Sequence, residues 1–219
     1  MSSQPPRSGP GPRGDGFPAR HEDGFGRILG TNGRMLDVYA VLAKIGATRD
    51  TVLIVGDSGT GKELVARTLH GMSSRPGGRF VAFPCTAIPE SLMESELLGE
   101  EADGAGCLEI AFGGTLFLDE LSAIPIAIQG KLLGALKERT FRRLGGKRDI
   151  EIDLRVVAAT ASEPEVSVLE GRLRVDLLRE LNALVLHIPP LQERSEDIPL
   201  LAREFVRDIA LENGARVQG

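Results

Sequence analysis

Five short apolar runs punctuate the chain: Val52 to Val55, Arg79 to Phe83, Thr115 to Leu118, Leu154 to Ala159 and Leu184 to Ile188. Each has the length and composition of a buried strand. Between them, apolar residues recur at helical spacing. Leu36, Tyr39, Leu42 and Ile45 follow a cap at Thr31 or Asn32. Further helices are predicted over Leu64 to Leu69, Ser91 to Leu98 behind Pro89, Ile126 to Lys137, Gly171 to Leu181 and Ile198 to Leu211. Thr140 to Asp153 read as a hairpin turning at Gly145-Gly146. Strands that alternate with helices predict an α/β fold, a mostly parallel sheet flanked by helices. No internal repeat is visible.

Composition changes this picture little. The chain has 219 residues, of which 42% are hydrophobic, enough for the core of a single domain. Residues 1–23 are rich in Pro, Gly, Ser and Arg and have little to bury, so they read as a disordered tail ahead of a domain over 24–219. Aromatics make up 4%, with no Trp and a single Tyr, which argues against stacking of single-stranded bases. The net charge of −5 gives no global field toward nucleic acid. Cys85 and Cys107 lack metal or CxxC spacing and read as reduced thiols of a cytoplasmic protein. No stretch is long and apolar enough to span a membrane, and the N-terminus lacks the apolar segment of a secretory signal.

The candidate chemistry begins directly after the first strand. Gly56-Asp57-Ser58-Gly59-Thr60-Gly61-Lys62-Glu63 joins that strand to a helix. Glycines allow successive amides to converge on a polyphosphate, the helix start adds unpaired N–H groups, and Lys62 brings a mobile cation. The strict pattern has Ser or Thr after the lysine as a magnesium ligand, and Glu63 stands there instead. A second element, Gly113 to Glu120, reads as a buried strand ending in Asp119-Glu120. In phosphate-loop folds such a strand delivers an Asp to magnesium, and an adjacent Glu is suited to prepare the attacking water.

From Ile28 to Phe205 the chain resembles the AAA+ ATPase domain of bacterial sigma-54-dependent transcriptional activators. The resemblance rests on Val55 to Glu63, Glu94-Ser95-Glu96-Leu97-Leu98-Gly99, Gly113 to Glu120, Gln129 with Lys131-Leu132-Leu133, Phe141 to Gly146, and Pro189 to Leu201. It implies a three-layer phosphate-loop fold and a ring-forming ATPase that takes ATP or ADP with Mg2+ and remodels RNA polymerase bound to sigma-54. By the same resemblance, Gly56, Asp57, Ser58, Gly59, Thr60, Gly61, Lys62 and Glu63 hold the phosphates. Asp119 organises the metal, Glu120 prepares the water, and Thr160 senses the γ-phosphate. Arg174 reaches into the neighbouring subunit's site. The basic residues around Gly145-Gly146 belong to a hairpin that faces the ring pore in the family, although a solvated, salt-bridged surface is an equal reading.

Four positions depart from the family pattern. The Gly-Ala-Phe-Thr-Gly-Ala loop that touches sigma-54 is missing, because Gly99 leads to Gly113 by a connection too short to hold it. Pro84 stands where an Asn restrains the catalytic Glu, and a prolyl ring donates no hydrogen bond. Ala161 replaces an Asn, and Glu180 replaces a second inter-subunit arginine. The family's helical lid and DNA-reading helix-turn-helix would lie beyond Gly219, so the lid is expected to be truncated or absent. These features predict a module that binds nucleotide while hydrolysis is weakened and the contact with sigma-54 is doubtful. The partners expected are further copies of the chain in a ring, or a related AAA+ protein. The alternatives are a non-catalytic nucleotide-dependent assembly module and, more remotely, a small-molecule kinase. His70, at the end of the phosphate-loop helix, reads as a positive group suited to the helix dipole, and His187 as a core or edge residue.

Overall fold

Alternate residues of the strands separate cleanly into two cores. Leu53 and Val55, Leu116 and Leu118, and Val156 and Ala158 belong to one buried cluster. Val52 and Ile54, Phe117, and Val157 and Ala159 belong to the other. That is the two-residue period of a sheet with both faces covered. The computed structural model describes residues 28–214, together with the backbone of Arg20–His21 and Gly24–Phe25. The rest of the predicted tail lies outside the described residues.

The sheet has five strands: β1 (Val52–Val55), β2 (Phe80–Pro84), β3 (Thr115–Asp119), β4 (Arg155–Thr160) and β5 (Leu184–His187). Their spatial order is β5-β1-β4-β3-β2, and every pair is parallel. One face is covered by α1 (Gly33–Ile45), which Asn32 caps, and by α2 (Lys62–Gly71). The other is covered by α3 (Glu90–Leu98), the short α4 (Cys107–Ile110), α5 (Ile126–Glu138) and α7 (Val175–Leu181). The expected three-layer α/β architecture is present. The last helix, α8 (Ile198–Glu212), follows a 3-10 segment at Leu191–Asp197.

Two expectations need correction. The helix predicted from Gly171 begins only at Val175, and a separate helix, α6 (Pro164–Leu169), precedes it. Gly171 takes a φ of 71° and ends α6, and the amides of Arg172 and Leu173 turn back to the Ser167 carbonyl. The strand predicted to run through Glu120 ends at Asp119, because Glu120 adopts a left-handed conformation. The hairpin over 140–153 is present, with Thr140–Phe141 antiparallel to Ile150–Glu151.

Arg155, at the start of β4, is buried and ties both helices of one face to the sheet. Its Nη1 donates to the carbonyls of Gly46 (2.8 Å) and Leu69 (3.3 Å), Nη2 to Ile45 (3.0 Å), and Nε to Asp50 (3.2 Å). Three of these carbonyls lie at the ends of α1 and α2, where the helix dipole is negative. Burial lowers the pKa of this guanidinium, and the carbonyl cluster offsets that cost.

His70 is not the dipole-facing cation expected from sequence. It is buried between Thr115 Oγ1, 2.8 Å from Nδ1, and the Gly78 carbonyl, 3.1 Å from Nε2. A carbonyl only accepts, so Nε2 carries the proton and Nδ1 accepts from the threonine. Burial, aided by Arg155 and Arg67, lowers its pKa and keeps the ring neutral. His187 lies exposed on the edge strand β5.

Arg155→Ala is expected to cost about 3–5 kcal/mol in denaturant unfolding, because several buried carbonyls lose a charged donor. A loss no larger than an exposed arginine gives would contradict this role. For His70 the depressed folded-state pKa means that the unfolded chain binds the proton more tightly. Stability is therefore complete above the ordinary histidine pKa of 6.5 and falls as the pH drops below it. Thermal unfolding between about pH 7.5 and 5.5 should show a steeper decline for the wild type than for His70→Gln.

Candidate functional site

Four strands end close together at the carboxyl edge of the sheet. Val55 is paired with Thr160, Leu118 with Ala158, and Pro84 with Asp119. The loop after β1, the acid pair after β3 and the last residue of β4 therefore meet at one edge, where ligands of parallel sheets bind. The Gly56 N–H donates to the Thr160 carbonyl at 3.2 Å and closes this corner.

The loop is shaped by glycines and cations. Gly59 and Gly61 have φ values of 81° and 96°, a region that side-chain-bearing residues avoid. The Lys62 ammonium is buried and donates to the carbonyls of Gly56 (2.7 Å) and Asp57 (3.1 Å). Thr60 donates its hydroxyl and its amide to the same Asp57 carbonyl, at 2.8 and 3.3 Å. Carbonyls are thus engaged on one side, while the first turn of α2 leaves its amides without intrahelical partners. Ser58 is exposed at the loop tip. Glu63 is exposed and pairs with Arg67 at 2.6 Å, one turn along the helix.

Asp119 is half-buried. Burial pushes its carboxyl above the usual range, the Lys62 charge opposes this, and Glu120 and Glu63 add to it. Glu120 has φ 64° and ψ 68°. Such a conformation costs about 1–3 kcal/mol and is characteristic of functional positions. It turns the carboxylate onto the end of β4. Oε2 accepts from the Ala161 N–H (2.9 Å), and Oε1 from the hydroxyls of Ser122 (3.0 Å) and Thr160 (3.3 Å). Thr160 Oγ1 also lies 3.1 Å from the Ser162 carbonyl. At the end of β2, Pro84 contributes no donor to Glu120. Next to it, the Cys85 amide donates to the Asp119 carbonyl at 3.0 Å. Burial pushes the Cys85 thiol up to about 12, which makes it inert.

Arg174 is not brought to this edge. It caps the start of α7, held by a bidentate pair with Asp176 (2.9 and 2.7 Å). Gln129, fully buried, sets this turn. Its amide nitrogen donates to Ile124 (2.6 Å) and Arg172 (2.8 Å) carbonyls, and its oxygen accepts from the Arg174 N–H (2.9 Å). Arg172, in the same turn, reaches Ser122 Oγ at 3.4 Å, and Ser122 in turn donates to Glu120. The helix that carries Arg174 also carries Glu180, half-buried, and Arg179, exposed.

The shortened connection after α3 is a tight ribbon, Gly99–Glu100 against Gly104–Ala105. It is stitched to the 140–151 hairpin by the Leu144 amide to the Gly99 carbonyl (2.9 Å) and the Glu101 amide to the Leu144 carbonyl (3.0 Å). Arg143 pairs with Glu109 and Arg142 with Asp149, so the basic cluster is in good part a salt-bridged surface.

A cleft of about 880 Å³ opens beside the phosphate loop. Asp57 to Gly61 and Arg194 form polar parts of its wall, and Ile28, Leu29, Leu191, Leu200, Leu201 and Phe205 form apolar parts. Its size suits a nucleotide-scale ligand. Three segments far apart in the chain build this wall, and only the fold brings Ile28–Leu29 and the start of α8 beside the loop.

A family profile described as the Sigma-54 interaction domain matches residues 28–187. The chain belongs to this family. As a sigma-54 interaction domain it is 45% identical over 195 residues to the Nif-specific regulatory protein of Azospirillum brasilense, covering 85% of this chain and 31% of that protein. It is 45% identical over 197 residues to the regulatory protein AtoC of Escherichia coli K12, covering 86% and 43%. Among solved structures, NtrX from Brucella abortus in complex with ADP superposes with a TM-score of 0.83 at 38% identity, over 86% of this chain and 43% of that one. The ATP complex of the same protein gives 0.83 at 37%, over 88% and 45%. The chain thus spans less than half the length of these relatives. The fold is that of AAA+ phosphate-loop NTPases. Among the described residues, no helix is long and apolar enough to cross a membrane.

Proposed function

We propose that this domain binds ATP or ADP in the cleft beside Gly56–Glu63, as part of bacterial transcription control in the cytoplasm, and that hydrolysis by the chain alone is slow. The observation that carries the binding half is the loop itself. Two of its carbonyls are held by Lys62 and two of its glycines, Gly59 and Gly61, are left-handed, on a fold similar to that of NtrX, which was solved with ADP and with ATP.

The carboxylates suit a hard divalent ion. Asp119 is desolvated and crowded by Glu120 and Glu63, an arrangement that a cation relieves. No group of three or more His, Cys, Asp or Glu gathers as a metal site among the described residues. One carboxylate together with the nucleotide's own phosphates is the usual magnesium arrangement. When bound, Mg2+ would neutralise charge between the phosphates. Lys62 would release its loop carbonyls to reach the outer phosphate. Glu120, held by Ser122, Thr160 and the Ala161 amide, would accept a proton from the attacking water. Thr160, in contact with that carboxylate, would report the state of the γ-phosphate.

The slow half of the reading rests on the replaced residues. Pro84 offers Glu120 no restraint, and Glu180 brings a negative charge to α7, where the family has a second arginine. An arginine supplied to the phosphoryl group is worth about 10³- to 10⁵-fold in turnover. Arg174 remains, exposed enough to serve a neighbouring subunit, so assembly with further copies or with a related AAA+ chain belongs to the same proposal. The tight ribbon at Gly99–Ala105 leaves no extended loop for sigma-54, and direct contact there is not part of it.

Titration with a fluorescent ADP analogue should give saturable binding, and Lys62→Ala should weaken it by about tenfold to a hundredfold. Steady-state phosphate release should be about 10³-fold or more below that of a competent ring ATPase. Absence of binding would sink the first claim, and turnover equal to that of the competent enzyme would sink the second.

A further inference from the structure

A second buried cation, besides Lys62, is bonded to the phosphate loop. Arg194 is 6% exposed and lines the cleft. Its Nη2 donates to the Thr60 carbonyl at 3.3 Å, and its Nη1 lies 3.3 Å from Met35 Sδ on α1. Its Nε–H finds no hydrogen-bond partner among the described residues. The backbone kinks at this residue, with φ −138° and ψ 43° inside the 3-10 segment.

Three residues on, Asp197 is 0% exposed. Its Oδ1 accepts the amides of Thr31 (2.7 Å) and Asn32 (3.0 Å), which lead into α1, and its Oδ2 is buried with no partner among the described residues. At the exposed rim of the same segment, Asn32 Nδ2 donates to Glu196 Oε2 at 2.9 Å. A desolvated cation and a desolvated anion thus share one short segment, each with an unsatisfied polar atom. Such a costly arrangement in a cleft wall calls for a reason beyond packing.

The Thr60 carbonyl supplies that reason. In a trans peptide the carbonyl and the following N–H point in opposite directions. The described chain contains no cis peptide. Holding the Thr60 carbonyl toward Arg194 therefore aims the Gly61 N–H the other way. Gly61 is the residue least able to fix that orientation alone, since it lacks a side chain and sits at φ 96°. Lys62 already holds the carbonyls of Gly56 and Asp57. Lys62 leaves that post when it engages a phosphate; Arg194, tethered through its own segment, does not have to.

We propose that Arg194 is a positioning residue for polyphosphate binding: it locks the Thr60–Gly61 peptide so that the Gly61 amide faces the phosphates, while Asp197 anchors the same segment to the start of α1. The inference rests on the nucleotide reading above and adds a residue to it.

The test is competition against a fluorescent ADP analogue, with adenosine and inorganic tripolyphosphate as separate competitors. Arg194→Met keeps the length and removes every donor. It should weaken ADP and tripolyphosphate by about tenfold each, leave adenosine within about twofold, and be largely rescued in Arg194→Lys, which restores a cationic donor group. Unchanged ADP affinity in Arg194→Met overturns the proposal. So does an equal loss for adenosine and ADP, which would make Arg194 a support of the cleft as a whole. If Arg194→Met does not fold, Arg194→Lys and Arg194→Gln carry the test. Tripolyphosphate affinity must then fall in the order Arg, Lys, Gln, and equal affinities overturn it. A wild-type protein that binds no nucleotide fails the cleft reading itself, an outcome distinct from wild-type binding that the Arg194 variants leave untouched.

Discussion

A trans peptide group turns its carbonyl and its amide to opposite sides, and the geometry of the loop from Gly56 to Glu63 follows from that constraint. A loop that offers amides to an anion must find something for its carbonyls to do. Here the carbonyls of Gly56 and Asp57 are held by Lys62, and that of Thr60 by Arg194. The left-handed glycines make the required turns possible without steric cost. On the reading proposed above, Lys62 exchanges its two carbonyls for a phosphate while Arg194 keeps the Thr60 carbonyl, so the Thr60–Gly61 peptide is the part of the cradle held ready before binding.

The acid pair is built on the opposite principle. Glu120 keeps a side chain in a conformation that favours glycine, and three donors over-determine it. One of those donors, the Ala161 amide, belongs to the backbone and survives the loss of a side-chain amide at that position. The network extends through Ser122 to Arg172, two residues before Arg174, and Gln129 fixes the turn that contains both. A run of hydrogen bonds thus joins the Glu120 carboxylate to the turn that carries Arg174. On the reading proposed above, a change in the docking of Glu120 would be felt at α7 without any long-range rearrangement.

Much of this was legible in the sequence. The strands of the core read directly from apolar runs, because a sheet buried on both faces needs nothing but apolar residues. The loop and the acid pair were found because glycine, lysine and carboxylate at fixed spacing have few other uses. What escaped was local backbone geometry. Nothing in Asp119-Glu120 announces that the second residue leaves the strand, and nothing in Glu170-Gly171-Arg172 separates two short helices until the Ser167 carbonyl is seen to collect the following amides. His70 was misread for a related reason. Its place at a helix end suggests a charge, but its partners are a hydroxyl and a carbonyl from elsewhere in the fold. Arg194 and Asp197 lie in a family motif, but a charged pair in a polar stretch reads as surface and only the fold shows it to be buried.

The departures from the family pattern are not scattered at random over this frame. The loop glycines, Lys62, Asp119, Glu120 and Thr160 are all in place. The positions that depart from the family pattern lie on the surface or around the acid pair: the ribbon at Gly99–Ala105, Pro84 and Ala161 near Glu120, and Glu180 on α7. The ribbon is not a frayed remnant. Gly99, at φ 79°, sits where an added Cβ would meet the Gly104 carbonyl at 2.5 Å, and Leu144 bonds the ribbon to the hairpin on both sides. A connection shortened this neatly and stitched to its neighbour has its own stable geometry. On the reading proposed above, the pocket is kept and the surface around it has a different but well-packed geometry, whereas decay of the whole site would have left the ribbon unpaired.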